Sequence, residues 1–441
     1  PHFYEGELQG EIRVGGKRIP ETPLYELAGI CGTVFQNPRS QFFNVDATGE
    51  IAFGPENLGL PEAEILARVD AAAREMKVEH LLGRSIFKLS GGEKQKIACA
   101  SVAALRPEIY VLDEPSSNLD MAAVADLRSH IALWKSQGKT VVVAEHRLHY
   151  LRGLCDRVLY LRGGMIEGEY TWEEFERVPA GERSAMGLRV LSLDELRETR
   201  NAAAKRGGEL LELSNFIYTY KRGQKAMDVP ALTLPKGGAI AVVGLNGAGK
   251  STFARCLCGL NKRFRGTLYL SGQTLANRAR RKKCFMVMQD VNNQLFTESV
   301  LDEILLGMQN EDGAAAENIL DSLHLLGLKD AHPMSLSGGE KQRVAIATAI
   351  ASEREIIVFD EPTSGLDLTH MRCVAENIRW LNSMGKTVFV ITHDPELIMS
   401  CCTHALKMEG GATAGAFPLD ETGRREILSY FMREGGEALV F

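Results

Sequence analysis

At 441 residues the chain is long enough for two or three domains, each with its own core, and its composition, 45% hydrophobic and 24% charged, is that of an ordinary globular protein. A net charge of −6 gives no reason to expect a nucleic-acid partner. No apolar run approaches the roughly 18–20 residues a spanning helix needs, so any membrane role has to come through a partner. The nine cysteines form no CxxC pair and no Cys/His array, which reads as reduced thiols in a cytosolic protein.

In chain order, the first domain is expected from Pro1 to about Tyr170 (residues 1–170). Tyr110–Asp113 and Thr140–Ala144 are its short apolar strands. A connector follows over residues 171–207, with acids and bases in near balance and no Gly/Ser- or Pro-rich character. It contains a helix-like stretch at Leu193–Lys205 and is expected to pack on the domains rather than swing freely. The second domain, residues 208–441, alternates strand and helix. Ala239–Gly244 is predicted as a buried strand, Lys250–Leu260 as a helix and Phe285–Gln289 as a strand. Ala315–Leu326 and Lys341–Ala351 have helical spacing, and Ile356–Asp360 and Thr387–Thr392 are strands again. Strands separated by helices predict an α/β fold with a parallel core.

A repeat organises the whole chain. Leu89-Ser90-Gly91-Gly92-Glu93-Lys94-Gln95 returns as Leu336-Ser337-Gly338-Gly339-Glu340-Lys341-Gln342, Asp113-Glu114-Pro115 as Asp360-Glu361-Pro362, and His146 as His393, each 247 residues on. A phosphate-loop pattern, Gly244-Leu245-Asn246-Gly247-Ala248-Gly249-Lys250-Ser251-Thr252, occurs once, between a predicted strand and a predicted helix. Its glycines let backbone N–H groups approach phosphates, Lys250 offers a point charge to the β- and γ-phosphates, and Ser251 can ligate Mg²⁺. Gly266 matches Gly10 at an offset of 256, which places the first copy's phosphate loop about five residues before Pro1; the expectation is an N-terminally truncated first domain. Asp360 ends an apolar strand where it can hold a Mg²⁺ shell, and Glu361 is placed to polarise an attacking water. The Ser-Gly-Gly-Glu stretches combine an N-cap, two bare amides and a first-turn acid, which makes an anion-binding helix start.

These motifs resemble those of ATP-binding cassette ATPases over nearly the whole chain. The resemblance makes Gly244–Thr252, with Gly244, Asn246, Gly247, Gly249, Lys250, Ser251 and Thr252, a Walker A loop. Ile356–Asp360 becomes Walker B, with Glu361 the catalytic carboxylate. Ser90, Gly91, Gly92 and Glu93 and then Ser337, Gly338, Gly339 and Glu340 become signature motifs that bind ATP. Gln36 and Gln289 match the Q-loops, His146 and His393 the switch histidines, and Ser117-Asn118-Leu119-Asp120 and Ser364-Gly365-Leu366-Asp367 the D-loops. Glu361, His393, Gln289, Glu114 and His146 are the implied catalytic set, and Ser251, Gln289, Asp360, Gln36 and Asp113 the implied Mg²⁺ set. Tyr220 is the adenine-stacking candidate, with Tyr218 as its rival. The implied cofactors are ATP and Mg²⁺, and the implied activity is ATP hydrolysis. In such a family the two domains pair head to tail, so the phosphate loop of domain 2 would meet Ser90–Glu93 of domain 1.

A finer resemblance follows each Q-loop. Gln41-Phe42-Phe43 with Glu50-Ile51-Ala52-Phe53-Gly54-Pro55, and Gln294-Leu295-Phe296 with Val300 and Glu303-Ile304, look like the ATPases of energy-coupling factor importers of vitamins or transition-metal ions. Domain 2 lacks the Phe-Gly-Pro. That likeness implies a transmembrane transporter subunit and a separate substrate-binding membrane component as partners, no nucleic acid, and a peripheral place on the cytoplasmic face of the cell membrane. Gln41–Phe43 and Gln294–Phe296 would be the contacts, unless Phe42, Phe43 and Phe296 are core residues. The alternatives are a non-transport tandem ATPase, such as a ribosome-associated translation factor, and half of an exporter. A near-neutral connector and the absence of cysteine-rich cluster motifs favour transport.

Overall fold

Short runs rich in Ile, Val and Phe that are apolar on both faces have to be covered on both sides, and in the second half of the chain this is what they become. In the computed structural model, which describes residues 9–117, 119–198, 208–220, 225–289, 291–308 and 310–434, the chain divides into two units, Pro1–Arg177 and Val178–Phe441. Asn118, Asp290 and residues 199–205 of the predicted connector helix lie outside the described residues; Leu193–Glu198 forms a 3₁₀ turn.

In the second unit five parallel strands stand in the order Cys284–Val287, Ile356–Asp360, Thr387–Ile391, Ala239–Val243, His404–Glu409, with Ala412–Pro418 antiparallel at the edge. Ala239–Val243, Ile356–Asp360 and Thr387–Ile391 are buried at every position. Because they are parallel, their carboxyl ends meet at one edge of the sheet, where open α/β sheets bind ligands. Helix Lys250–Leu257 follows the central strand, and helices Val300–Gly307, Gly313–Ser322 and Gly338–Ala351 pack on one another as a helical group. The last begins at Gly338 rather than at Lys341, because the serine before it caps the glycines into the first turn. A four-stranded antiparallel sheet, Gln273–Leu275, Arg265–Leu270, Leu210–Thr219 and Lys225–Pro235, adds a layer that the strand-helix alternation did not predict. Leu211, Leu213 and Phe216 face inward from it, onto a core shared with Ile240, Val242 and Phe253.

The first unit repeats the plan in part. Cys31–Val34, Ile109–Asp113 and Thr140–Ala144 form a three-stranded parallel sheet. Helices Ala47–Asn57, Glu62–Glu75 and Gly91–Ala104 pack together, and Arg157–Arg162 and Met165–Thr171 make a separate hairpin. Among the described residues Thr140–Ala144 pairs on one side only, and no position of it is fully buried, whereas its counterpart Thr387–Ile391 lies between two strands.

Candidate functional site

The phosphate loop turns between strand Ala239–Val243 and helix Lys250–Leu257. Gly244 has φ +153°, and a Cβ there would lie 2.3 Å from the Met408 carbonyl oxygen, so only glycine fits. Gly249 holds the N-cap in the left-handed region, and no side chain caps the helix, which leaves its first amides to the loop. Lys250 is buried. Its ammonium donates to the carbonyls of Gly244 (2.7 Å) and Leu245 (3.1 Å) and lies 3.0 Å from His393 Nε2. An ammonium only donates, so the facing imidazole nitrogen accepts. Tyr220 is exposed, with its hydroxyl 3.5 Å from Thr252 Oγ1, while Tyr218 packs against the core.

Asp360 and Glu361 end the strand two places from the loop's own. Ser251 Oγ donates to Asp360 Oδ1 at 3.4 Å. Burial pushes the Asp360 carboxyl above its ordinary range, against the opposing pull of the Ser251 hydroxyl and of Arg255 and Lys250. Glu361 has φ +50°, a backbone state that non-glycine residues rarely adopt. Its N–H donates to the Ile391 carbonyl (2.9 Å), and its carboxylate accepts from the His393 N–H (3.3 Å) with Oε1 3.5 Å from Nε2. Lys250, Ser251, Asp360, Glu361 and His393 thus converge.

The first unit assembles the same fragment. Glu114 has φ +41°, its N–H donates to the Ala144 carbonyl, Gln36 Nε2 donates to its carboxylate at 2.7 Å, and His146 Nε2 lies 3.4 Å from Oε1. Asp113, however, is exposed where Asp360 is buried.

Both Ser-Gly-Gly-Glu stretches start helices with a reciprocal cap. Ser337 N–H donates to Glu340 (2.8 Å) and the Glu340 N–H to the Ser337 hydroxyl (3.4 Å); Ser90 and Glu93 do the same. The Ser337 hydroxyl and N–H hold the Glu340 carboxyl below its ordinary range. The box engages the cap and third amides, so the first two amides of the helices are those of Gly91 and Gly92, and of Gly338 and Gly339; Gly91 and Gly338 are exposed and Gly339 is half-buried, whereas Gly92 is buried.

The turns after the Q-loops are also built twice. Gln41 accepts from Phe35 N–H and donates to the Thr33 carbonyl; Gln294 accepts from Met288 N–H and donates to the Met286 carbonyl. A buried acid then holds each turn. Glu50 accepts the N–H groups of Phe43 and Asn44, and Glu303 those of Phe296 and Thr297. Phe43 and Phe296 are left 74% and 75% exposed. The glutamines, Phe42 and Leu295 therefore point inward, and the predicted contact triplets reduce to one outward phenylalanine each. The holding roles of Glu50 and Glu303 were not read from the sequence, although an acid at one spacing after each Gln-x-Phe was the available signal.

A glycine-cradled helix start beside a strand-end carboxylate pair defines a P-loop nucleoside triphosphatase. The family profile described as ABC transporter matches residues 4–117 and 227–364, more than half of the chain. A Treponema denticola protein assigned as an ABC transporter ATP-binding protein is 42% identical over 416 residues, 93% of this chain and 85% of its own length. A second from that organism is 37% identical over 435 residues, 97% and 88% of the two. Among solved structures, one of RNase-L Inhibitor shares the fold at TM-score 0.63 and 23% identity, over 91% of this chain and 77% of its own. The chain belongs to the ABC transporter family and is a tandem ATP-binding protein that hydrolyses ATP.

Proposed function

We propose that the chain is the ATP-hydrolysing subunit of an energy-coupling factor importer for a vitamin or transition-metal ion, peripheral on the cytoplasmic face of the membrane. In this reading it docks on a transmembrane subunit that works with a separate substrate-binding component. The observation that carries the reading is the twofold Gln clamp and buried acid, each presenting one exposed phenylalanine. In the first unit Val45 and Phe87 are exposed on segments joined by the Ile86 N–H to Val45 carbonyl bond, which extends that patch. Apolar side chains held out by buried polar groups mark a docking surface. Among the described residues no helix is long and apolar enough to cross a membrane, so the subunit would be reached through this patch.

At the site of the second unit, Lys250 and the amides of its helix bind the phosphates, Glu361 orients the attacking water, and His393 holds Glu361. Gln289 is assigned beside them by its place in the motif, and Tyr220 stacks the adenine. Ser251 and Asp360, two oxygen donors 3.4 Å apart, suit Mg²⁺, which takes one or two protein oxygens and completes its shell with phosphate and water. When bound, the ion offsets charge on the transferring phosphoryl group. Gln36, Asp113, Glu114 and His146 have the matching roles in the first unit.

The test is association and uptake in cells. Phe43→Asp with Phe296→Asp is expected to abolish membrane co-sedimentation and uptake of labelled vitamin or metal ion, while ATP binding persists. Undiminished membrane association of the double variant, or co-sedimentation with ribosomes instead, overturns the proposal. Phe42 is unsuitable for this test because it packs against the core.

A further inference from the structure

Asp394 follows His393 and is buried with its carboxylate toward the turn that begins at Glu361. Its Oδ1 accepts the Glu396 and Leu397 N–H groups, and its Oδ2 accepts from Thr363 Oγ1 (2.9 Å) and from Arg189 Nη1 (2.7 Å). Arg189 belongs to neither copy of the repeat; it comes from the connector. The side chains of both partners are 2% exposed. Arg189 Nε and Nη2 donate to the Leu366 carbonyl at 3.1 and 2.8 Å. One guanidinium thus holds the loop that follows Glu361 and the carboxylate beside His393. The Leu368 N–H to Gly187 carbonyl bond (3.3 Å) fixes the same stretch of connector to the same loop.

The first unit reaches this arrangement by other means. The residue after His146 is Arg147, at the repeat position of Asp394. Its Nη1 donates to the carbonyls of Leu119 and Ser116, both at 3.3 Å, and these residues are the counterparts of Leu366 and Thr363. Glu145, where the second unit has Thr392, accepts from the N–H groups of His146, Arg147 and Ser116. The charge after the histidine is inverted between the units, yet a guanidinium rests on the same loop carbonyl in each. The first unit carries it beside the histidine; the second receives it from the connector.

We propose that Arg189 is a positioning residue of the second unit's hydrolysis site, which makes the connector a working part of that site. The inference rests on the roles proposed above for Glu361 and His393. Arg189 acts through Leu366 and Asp394 on the spacing of those two groups. A misplacement of about 1 Å in such a pair costs on the order of 10²-fold in rate. Lysine keeps the charge but not the planar fork that reaches carbonyl and carboxylate together.

ATP hydrolysis is measured on the full chain in a Glu114→Gln background, with affinity read from equilibrium binding of a fluorescent ATP analogue and folding from thermal melts. Arg189→Lys and Arg189→Ala are expected to lower kcat at least about 10-fold while the Kd for the analogue changes less than about 3-fold. Arg189→Ala combined with Thr392→Glu and Asp394→Arg transplants the first unit's solution and is expected to recover kcat to within about 3-fold. Background rates in Arg189→Lys, a parallel loss of kcat and affinity, or a folded triple variant as slow as Arg189→Ala each overturn the inference. A variant that does not melt cooperatively is set aside, and Arg189→Lys decides. Glu361→Gln in the same background separates the two assignments. If it hydrolyses ATP normally, the role of Glu361 fails; if it is inactive while the Arg189 variants are active, only the role of Arg189 fails.

Discussion

Glu361 and Glu114 each occupy a backbone state that costs a non-glycine residue on the order of 1–3 kcal/mol. Both are followed by proline, which already disfavours the right-handed helical state for them. The left-handed turn keeps the Glu361 N–H on the Ile391 carbonyl while swinging the carboxylate to His393. If this carboxylate orients water rather than holding phosphate, as proposed above, it should govern rate and not affinity. Glu361→Gln is therefore expected to leave ATP binding within a few-fold and to lower turnover at least about 100-fold, measured with Glu114→Gln present. Asp360 makes the opposite trade. Its folded pKa is raised by burial, so its ionised form is less stable folded than unfolded. The stability associated with this group is complete below its unfolded pKa and is lost as pH rises through the folded one. Asp360→Asn should then raise the melting temperature of the nucleotide-free protein at neutral pH. That gain should shrink as the pH falls toward the ordinary carboxylate range, while Mg²⁺-dependent hydrolysis is lost. Equal melting temperatures at neutral pH would contradict the buried-charge account.

The elements proposed to carry function are strand ends, capped helix starts and clamped turns, and they differ in how openly the sequence displays them. Ile356–Asp360 and Thr140–Ala144 were legible residue for residue because a short run of β-branched and aromatic residues with an acid at its end or just after it has few other uses. Ser90 and Ser337 were legible as caps because serine, two glycines and a glutamate suit one geometry. The antiparallel sheet of Leu210–Thr219 and its partners was not predicted; its inward positions, such as Leu211 and Leu213, alternate with exposed ones and carry no motif. The outward turn of Phe43 against the inward turn of Phe42 was equally hidden, since adjacent aromatics look alike until Glu50 fixes which backbone amides face the core. That buried acid is testable by itself. Glu303 accepts from the Phe296 and Thr297 N–H groups and from Thr297 Oγ1 (2.8 Å), so Glu303→Ala should cost roughly 1–3 kcal/mol in denaturant melts by orphaning them. It should also weaken partner binding with little change in ATP affinity. An unchanged midpoint would show that the turn holds without it.

At the scale of the whole chain, the two units share motifs but not burial. The second unit places Thr387–Ile391 between neighbours on both sides and buries every residue of it. In the first, among the described residues, Thr140–Ala144 has one neighbour and Val142 is half exposed. Fully burying a valine is worth about 1.5–3 kcal/mol, and a domain's total stability is only about 5–15 kcal/mol, so a few such deficits decide which unit opens first. The second unit alone holds the described phosphate loop, so ATP should stabilise it selectively, by about 2.7 kcal/mol at a hundredfold excess over Kd. Limited proteolysis of this 441-residue chain, read by mass spectrometry, is therefore expected to cut within Pro1–Arg177 first and to leave Val178–Phe441 as the persistent fragment. Mg²⁺-ATP should slow cleavage of that fragment more than cleavage of the first unit. If a single cooperative transition covers the chain and both units are cut at equal rates with and without ATP, the lower burial of Thr140–Ala144 carries no stability penalty and the asymmetry argued from it is wrong.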